Sequence, residues 1–284
     1  MAGILYLVAT PIGNLEDMTL RGLRILKEAD LIACEDTRTS APLLRHYGIT
    51  TPVTAYHKYN EKEKSPYLVD VLLSGRNVAL ISDAGLPLIS DPGSCLTEAC
   101  REAGITITVV PGANAALTAL LLSGADSRRF IFEGFLPQDN KEKARVLESL
   151  KTEMRTVIFY EAPHRLAKTL GDLAGALGRR RIAVCRELTK RFETTEILEL
   201  TEAADLYKTK EPRGEYVLVL SGRDPDDLAR EKQAAFETMS VAAHVALYEE
   251  QGLGHKEAMK AAAADRGVTK RDIYQALLSE ADEA

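Results

Sequence analysis

The residues best suited to chemistry lie in one segment, residues 81–93 (ISDAGLPLISDPG), which holds two Asp, two Ser, two Gly and two Pro. The apolar residues 78–80 before it are typical of a buried strand, and a helix-like segment starts at Ser94. A loop between a strand and a helix usually needs only about two to six residues, so this loop is longer than a connection requires. Glycine lets the backbone approach a ligand, proline fixes its shape, and Asp and Ser oxygens accept hydrogen bonds. We therefore expect a ligand site here, although these Asp and Ser residues could also cap the next helix.

A loop that contains proline also follows four other strand-like segments. Six of the 11 prolines lie in these five post-strand loops. In an open α/β sheet, ligands bind outside the carboxyl ends of the strands. We therefore expect the five loops to form one rim that lines a single cleft. The other four loops are residues 10–14 (TPIGN), 111–115 (PGANA), 136–137 (LP) and 161–165 (EAPHR).

The strand and helix signals that must position these loops change along the chain. Residues 1–122 alternate strands and helices, which predicts a mostly parallel sheet with helices on both faces. Residues 127–222 are richer in strands, and the neighbouring signals at 181–186 and 192–200 predict a hairpin within a mixed sheet. From residue 224 onward the pattern is helical. We predict an α/β fold with a cofactor cleft between two α/β domains, residues 1–122 and 123–223, and a small helical extension, residues 224–284.

Composition narrows the class of protein. The chain has 284 residues, of which 45% are hydrophobic and 27% charged, as in an ordinary globular protein. No apolar run reaches the ~20 residues of a membrane helix. No signal peptide precedes the first strand, so we expect a cytoplasmic protein without a membrane partner. The four Cys have no CxxC spacing and no His at metal spacing, which favours free thiols and no metal site.

Missing motifs make several enzyme classes less favoured. There is no GxGxxG after the first strand and no GxxxxGK[ST], which disfavours a Rossmann dinucleotide site and a P-loop. There is also no HExxH and no GxSxG, so hydrolases lose most of their support. What remains is a cleft shaped by Pro and Gly that carries a few Asp, Glu and Ser side chains. Such a cleft suits a small polar ligand with an adenine-like ring and a ribose.

Seven motifs occur in an order found in a known enzyme family: VATPIGNLEDMTLR, CEDTRTS, ISDAGLPLISDPG, VVPGANAALTALLLSG, FEGFLP, FYEAPHRLAKTL and RELTKRFE. Over residues 3–222 they resemble the tetrapyrrole methylase-like enzymes, which use S-adenosylmethionine, and among these the branch that methylates 16S ribosomal RNA. The helical tail is similar to the C-terminal segment of that branch. Two loops depart from the family pattern. Leu86 stands where Thr is usual, and Ala113 and Asn114 stand where the family has Pro and Ser.

The resemblance implies S-adenosylmethionine as the cofactor, bound in the cleft between the two α/β domains. It also implies methylation of the ribose 2′-oxygen of a decoding-centre cytidine in 16S rRNA, within the small ribosomal subunit, by a homodimer. The residues expected to bind the cofactor share a place in or beside the post-strand loops. They are Pro11, Asp83, Ala84, Gly85, Leu86, Pro87, Ser90, Ala113, Asn114, Ala115, Tyr160 and Leu188.

A ribose hydroxyl is a poor nucleophile, so a positioned base should assist the transfer. Glu161 and Glu187 are the predicted catalytic residues, and residues 35–36 (Glu-Asp) are further candidates. Glu161 could equally complement the dipole of a helix N-terminus. Glu187 could instead pair with Arg186 or Lys190.

The net charge of −6 counts against a protein that coats nucleic acid generally, because such proteins are usually basic. RNA affinity must then come from a local basic set, mostly through phosphate contacts. The residues expected to contact RNA are Arg38, His57, Asn60, Arg165, Arg186, Lys190 and Arg191.

Two other functions fit the same sequence. One is a methyltransferase that acts on carbon or nitrogen of a corrin-type ring or of a modified protein residue. The other is a ribosome assembly factor that binds S-adenosylmethionine and transfers no methyl group. Transfer of labelled methyl into isolated small subunits separates all three.

Overall fold

The computed structural model describes residues 1–237 and 239–282. The chain divides into two compact units. One comprises residues 1–150 and 155–221 and contains two five-stranded sheets. The other comprises residues 151–154 and the chain from residue 222 onward, and its elements are helices.

The first sheet holds five strands, each parallel to its neighbours. They are β1 (Ile4–Val8), β2 (Leu31–Cys34), β3 (Val53–Ala55), β4 (Val78–Ile81) and β5 (Thr106–Val110), in the order β3-β2-β4-β1-β5. The helices that connect them are α1 (Leu20–Glu28), α2 (Thr37–His46), α3 (Glu61–Leu73) and α4 (Ser94–Glu102). Every residue of β2 and β4 is buried, as expected for a parallel sheet that is covered on both faces.

Neighbouring residues of the central strand β4 face two different cores. Leu80 shares a core with Leu68 of α3 and Leu96 of α4. Ile81 belongs to the opposite core, which contains Leu26 of α1 and Leu44 of α2. The predicted parallel sheet with helices on both faces is therefore confirmed.

The second sheet is mixed. Its strands are β6 (Phe130–Phe135), β7 (Thr156–Glu161), β8 (Arg181–Arg186), β9 (Thr194–Glu199) and β10 (Tyr216–Leu220), in the order β6-β7-β10-β8-β9. β6 and β7 are parallel, the remaining pairs are antiparallel, and β8 with β9 forms the predicted hairpin. Helix α5 (Ala115–Ser123) shares a core with one face of this sheet. The core on the other face includes residues of α6 (Asn140–Leu150), α7 (Pro163–Leu177) and α8 (Leu200–Thr209).

Helix α8 corrects the predicted boundaries in this half. The apolar alternation predicts a strand that runs to residue 200 and no helix before the last strand, but β9 ends at Glu199 and α8 starts at the next residue. A capping box between Glu199 and Glu202 starts the helix, with the Glu199 N–H donating to the Glu202 carboxylate at 3.2 Å. The strand and the helix adjoin without a loop, so Leu200, two residues after Leu198, continues the alternating strand pattern past the end of β9.

The C-terminal helices form a core of their own, which includes Val245, Ala258, Met259 and Ile273. Among the described residues, no helix is long and apolar enough to cross a membrane. The architecture confirms the predicted α/β fold with a helical C-terminal extension. The helices of the extension are α9 (Pro225–Glu237), α10 (Val241–Glu250), α11 (His255–Asp265) and α12 (Lys270–Asp282).

Candidate active site

The loops after β1 and β4 are joined by a short antiparallel bridge. The Thr10 N–H donates to the Gly85 carbonyl at 2.9 Å, and the Gly85 N–H donates to the Thr10 carbonyl at 3.1 Å. The buried Thr10 hydroxyl also donates to the Ser82 carbonyl at 3.2 Å. Gly85 has a φ of 81°, which glycine adopts without steric cost. The bridge fixes the two loops against each other.

Two loops hold non-glycine residues in the left-handed conformation. Leu88 and Ser90 follow β4 with φ values of 72° and 66°, and Glu187 and Thr189 follow β8 with 51° and 63°. Such conformations cost on the order of 1–3 kcal/mol each and cluster at functional sites, where the surrounding structure enforces them. Thr189 is the most unusual of the four because it is β-branched. Ser90 lines one cavity, and Leu188, which lies between Glu187 and Thr189, lines the same cavity, so both strained loops reach it.

That cavity has a volume of about 520 Å³. The loops that follow β1, β4, β5 and β7 contribute to its walls, and β6 contributes its last residue, Phe135. Four of the five predicted loops therefore meet at one cavity, whereas residues 136–137 line a second cavity. The volume lies in the range of ~300–1,000 Å³ that is typical of small-molecule and cofactor sites. The lining residues are Ile12, Asp83, Ala84, Gly85, Leu86, Ile89, Ser90, Asp91, Asn114, Ala115, Phe135, Tyr160, Glu161, Ala162, Pro163, His164, Leu188, Glu215, Tyr216 and Val217.

Nine of the twelve residues predicted to bind the cofactor line this cavity, and Pro11, Pro87 and Ala113 do not. Each of those three adjoins a lining residue in the sequence. Asn114, which departs from the family pattern, caps α5, because its Oδ1 accepts from the Leu117 N–H at 2.9 Å. The departure therefore keeps a good capping residue at the start of the helix, and the individual cofactor contacts stay predictions.

An aromatic cluster forms one wall of the cavity. The Tyr160 ring makes edge contacts with Phe132 and Phe135, with centroid distances of 4.9 and 5.9 Å. Phe135 lines the cavity and is 47% exposed, so it can contact a ligand with its free face. Phe135 was not among the predicted site residues, although its position at the end of FIFEGF, directly before a post-strand loop, was a usable signal.

The charged groups of the cavity wall are acidic. Asp83, Asp91, Glu161 and Glu215 line the cavity, and among the described residues no Lys or Arg does. The remaining lining is mostly apolar. A wall of this kind favours a ligand that carries positive charge and disfavours a phosphate.

Asp91 is a site residue that was not singled out, although it lies within the 81–93 loop. Burial, with the nearby charge of Glu35, raises the pKa of Asp91 to about 6, and a hydrogen bond with Ser82 opposes the shift. Burial also raises the pKa of Glu35 and of Asp83. These carboxyls follow β2 and β4, which are neighbours in the sheet. Burial and mutual repulsion make it costly for these carboxyls to be ionised together. A cation bound beside them would lower that cost, so the site favours a cationic ligand.

The structure places the cysteines in packed surroundings. The four thiols are free, and burial raises the pKa of the three buried ones, Cys34, Cys100 and Cys185. A buried thiol in this state behaves as a small apolar side chain. In the part of the chain that the structure describes, no group of three or more His, Cys, Asp or Glu side chains could hold a metal ion.

A profile of the family described as Tetrapyrrole (Corrin/Porphyrin) Methylases matches residues 4–204. The chain belongs to the tetrapyrrole methylases. Two curated relatives named "Ribosomal RNA small subunit methyltransferase I" match it over nearly its whole length. The protein from Halalkalibacterium halodurans is 46% identical over 272 residues, which cover 96% of this chain and 93% of the relative. The protein from Bacillus subtilis is 47% identical over 274 residues, which cover 96% and 94%.

A solved structure agrees with the fold of this methylase. It is the uroporphyrin-III C-methyl transferase from Thermus thermophilus, complexed with S-adenyl homocysteine. It matches with a TM-score of 0.54 at 21% identity, covering 77% of this chain and 97% of that chain. The resemblance inferred from the seven motifs is confirmed, and the chain is a methyltransferase by family.

Both carboxylate oxygens of Glu161 in this methylase have partners within the chain. Its Oε1 accepts from the Ala162 N–H at 2.9 Å and lies 3.2 Å from Nε of Arg165. Its Oε2 accepts from the Thr169 hydroxyl at 2.5 Å. The side chain has no exposed surface. This arrangement favours an anchor for the start of α7 over a proton-accepting role.

Glu187 is engaged in a similar way and does not line the cavity. Its Oε1 accepts from the Glu215 N–H at 2.9 Å and lies 2.9 Å from Nζ of Lys190. Burial alone would raise the pKa of Glu187, but the hydrogen bonds from Glu215 and Lys190 outweigh it and lower the pKa overall. A carboxylate held in its ionised form is a weaker base, so the geometry favours a structural part for Glu187 in the loop that carries Leu188.

Two of the basic residues predicted to contact RNA hold neighbouring segments of the methylase. Arg186 Nε donates to the Arg213 carbonyl at 2.7 Å. Lys190 Nζ lies 2.8 Å from the Glu215 carboxylate, in addition to its pair with Glu187. Burial alone would lower the pKa of Lys190, but these two carboxylates raise it overall. Lys190 therefore carries its charge within an ion-pair network beside the cavity.

The other predicted RNA contacts are spread around the same unit. Arg38 is exposed and pairs at 2.7 Å with the aspartate that caps α2. His57 and Asn60 form a turn before α3, in which the His57 N–H donates to Asn60 Oδ1 at 2.8 Å. Arg191 is exposed and lies 5.6 Å from the centre of the Phe192 ring. Arg165 lines a second, smaller cavity.

Proposed function

We propose that this methylase transfers a methyl group from S-adenosylmethionine to the ribose 2′-oxygen of a decoding-centre cytidine in the 16S rRNA of the small ribosomal subunit. One observation carries the proposal: proteins named for methylation of small-subunit ribosomal RNA match 96% of this chain at 46% and 47% identity. The acidic, largely apolar cavity supports the choice of cofactor.

The cavity suits S-adenosylmethionine in size and charge. This cofactor carries a positive sulfonium and an ammonium group, and carboxylate-bearing residues line the cavity without any Lys or Arg from the described residues. Tyr160 and Leu188 offer apolar surface for the adenine ring, and Asp83, Ser90 and the backbone around Gly85 offer hydrogen-bonding groups. When bound, the cofactor supplies an activated methyl group. The contribution of the chain is to bind and orient the reactants and to keep water out.

We assign the proton-accepting role to Asp91 rather than to Glu161 or Glu187. Asp91 lines the cavity, and burial raises its pKa to about 6 in the ligand-free protein, so it is ionised near neutral pH and more basic than an ordinary carboxylate. Glu161 has three partners of its own, as described above. Asp91 then takes the hydroxyl proton of the ribose while Glu161 holds the start of α7.

A homodimer is part of the proposal, and helix α5 supports it. One face of α5 is buried against the second sheet through Ala116, Ala119 and Leu120. The opposite face exposes Leu117 (48%) and Leu121 (77%), which are four residues apart and so lie on one side of the helix. An exposed pair of leucines of this size is typical of a surface that another molecule covers.

We also propose that the three segments predicted from the sequence have separate roles. Residues 1–122 and 123–223 act as the two α/β domains that bind the cofactor, and the helical residues from 224 onward contribute to engaging the ribosomal subunit. The protein works in the cytoplasm, where its substrate is found. Because the chain is acidic overall, with a net charge of −6, the basic side chains around the cavity must supply RNA affinity.

The test is transfer of tritiated methyl from S-adenosylmethionine into isolated small subunits that lack the modification. The proposal expects label in 16S rRNA and none in ribosomal protein. Label in ribosomal protein, or transfer to a corrin-type compound in a parallel incubation while the subunits stay unlabelled, supports a protein or small-molecule methyltransferase instead. Binding of cofactor and subunit without any transfer supports a non-catalytic assembly factor.

A further inference from the structure

A second cavity, of about 260 Å³, adjoins the first one. His164, in the first turn of α7, lines both cavities. The consecutive residues Phe135 and Leu136 line one cavity each, Phe135 the first and Leu136 the second. A strand of substrate that enters the first cavity at Phe135 therefore passes directly beside the second.

The second cavity has the opposite electrostatic character. Among the residues that the structure describes, the charged ones that line it are Lys143, Arg165, Lys168 and a single acid, Asp172. Asp172 is already neutralised, since its carboxylate lies 2.6 Å from Nζ of Lys143. Arg165 and Lys168 remain, and of these Arg165 is paired with Glu161, so Lys168 is the uncompensated cation among these described residues. The first cavity is lined by no described Lys or Arg.

The two remaining cations differ in how they are held. Arg165 is fixed in place, because it pairs with Glu161 and donates to the Leu136 carbonyl. Lys168 is exposed, and within the described residues it has no hydrogen bond or ion pair. A fixed guanidinium beside a free ammonium in a small cavity matches the charge and size of one phosphate group.

We infer that the second cavity binds a backbone phosphate of the RNA, next to the nucleotide whose ribose receives the methyl group. This inference rests on the proposed function for its substrate and adds to it a subsite. The exposed ring of Phe135, at the boundary between the cavities, offers a stacking surface for a base on the same strand, as RNA-binding proteins commonly provide. The nucleotide and its phosphate thus meet surfaces of opposite charge.

Lys168→Ala is the decisive variant, and Lys141→Ala is its matched control. Lys141 is exposed, lies on α6 two residues before Lys143, and does not line the cavity. With small subunits as substrate, Lys168→Ala should raise KM about threefold to tenfold and reduce the slope of log KM against log salt by about 0.7–0.9. Its kcat, its affinity for S-adenosylmethionine and its thermal unfolding midpoint should stay unchanged. Lys141→Ala should leave all of these values unchanged.

Replacing one RNA phosphate at a time by an uncharged methylphosphonate identifies the phosphate that Lys168 contacts. Short single-stranded RNAs with the target sequence, each with one methylphosphonate, are bound to the full-length protein in the presence of S-adenosylhomocysteine. One substituted position should weaken binding to the parent protein as much as Lys168→Ala does, and should cost nothing further in the Lys168→Ala protein. If every position costs both proteins equally, or if Lys168→Ala leaves the KM and the salt slope for subunits unchanged, the subsite does not exist.

The two proposals fail separately. Coupling between Lys168 and one phosphate, with no methyl transfer to RNA by the parent protein, would contradict the proposed function and leave the phosphate subsite standing. Normal methyl transfer without that coupling, and with an unchanged KM in Lys168→Ala, would contradict only the subsite.

Discussion

Glu161 and Arg165 form an ion pair at the boundary between two cavities of opposite charge. Glu161 Oε1 lies 3.2 Å from Arg165 Nε, Glu161 lines the acidic cavity, and Arg165 lines the basic one. The Glu161 side chain is fully buried and that of Arg165 is 20% exposed. One pair therefore orients the first turn of α7 and fixes a cation for the second cavity, which explains both glutamate and arginine in the EAPHR motif without assigning either to proton transfer.

We expect Glu161→Gln to lower stability without altering the pH dependence of catalysis. The glutamine keeps the shape but leaves Arg165 without its charge partner, so the free energy of unfolding in urea should fall by about 1–3 kcal/mol. Thr169→Val is the matched control, since it removes one hydrogen bond from the same carboxylate and keeps the charge. If the pH–rate profile of Glu161→Gln loses its acidic limb, Glu161 is the base after all.

Asp91→Asn should stabilise the ligand-free protein and impair transfer. The pKa of Asp91 is raised from 3.8 to about 6, so the folded state binds more protons than the unfolded state between these values. The free energy of unfolding therefore falls as pH rises from about 4 to 6, because Asp91 ionises less readily in the folded protein than in the unfolded chain. At pH 7.5 we expect a gain of about 1–2 kcal/mol on removing the charge, after discounting for solvent screening of a partly exposed carboxyl.

The single-turnover rate of Asp91→Asn should fall by roughly 100-fold, as for loss of a general base. Asp126→Asn is the control, because Asp126 is an exposed carboxylate whose pKa is held at about 2 by hydrogen bonds from Arg128. It should leave the rate unchanged. A fully active Asp91→Asn protein would remove Asp91 from the mechanism.

Affinity for S-adenosylmethionine should rise with pH through about 6. A bound sulfonium favours the ionised form of Asp91, so binding releases a proton below the pKa of the free protein. We expect binding about threefold to tenfold weaker at pH 5 than at pH 7.5 by calorimetry. S-adenosylhomocysteine, which lacks the sulfonium charge, should show a weaker dependence. Equal pH dependence for both ligands would show that the acidic wall does not recognise the cation.

Gly13 does not line the cavity, but Gly13→Ala should displace the loop that carries the lining residue Leu188. A Cβ at Gly13 would lie 2.4 Å from Lys190 Cγ and 2.9 Å from the Leu188 carbonyl, so the β8–β9 loop must move. We expect a loss of about 1–3 kcal/mol in stability and weaker cofactor binding. Gly171→Ala in α7 is the contrasting control, because its Cβ meets nothing within 4 Å and should stabilise the helix by about 0.5–1 kcal/mol.

Much of the fold could be read from local patterns, because most strands and helices have their own period and many end at a glycine or proline. Helix α8 could not, because it adjoins β9 with no such boundary. The order of strands could not, since packing between distant segments decides it. The closeness of Glu35 to Asp91 depends on β2 lying beside β4, and the pairing of Lys190 with Glu215 depends on β8 lying beside β10. Local patterns therefore predict the 81–93 loop as a site, but they do not predict the raised pKa of Asp91, which depends on burial and on the charge of Glu35.

Leu121→Glu should separate the proposed homodimer. A charge on the exposed face of α5 would be buried without a partner in the interface, which is costly. Sedimentation should show a dimer for the parent protein and a monomer for Leu121→Glu. Leu73→Glu, at a 52% exposed leucine at the end of α3, is the control and should remain dimeric. A monomeric parent protein would contradict the dimer.

The position of the transferred methyl group decides whether this methylase acts on the ribose of 16S rRNA. Small subunits are incubated with S-adenosylmethionine and either the parent protein or Asp91→Asn, and the 16S rRNA is digested and analysed by mass spectrometry. We expect one added methyl on the ribose of one decoding-centre cytidine, at a bond that resists alkali, with little or none from Asp91→Asn. A methyl on the base, on a ribosomal protein or on no component of the subunit would contradict it.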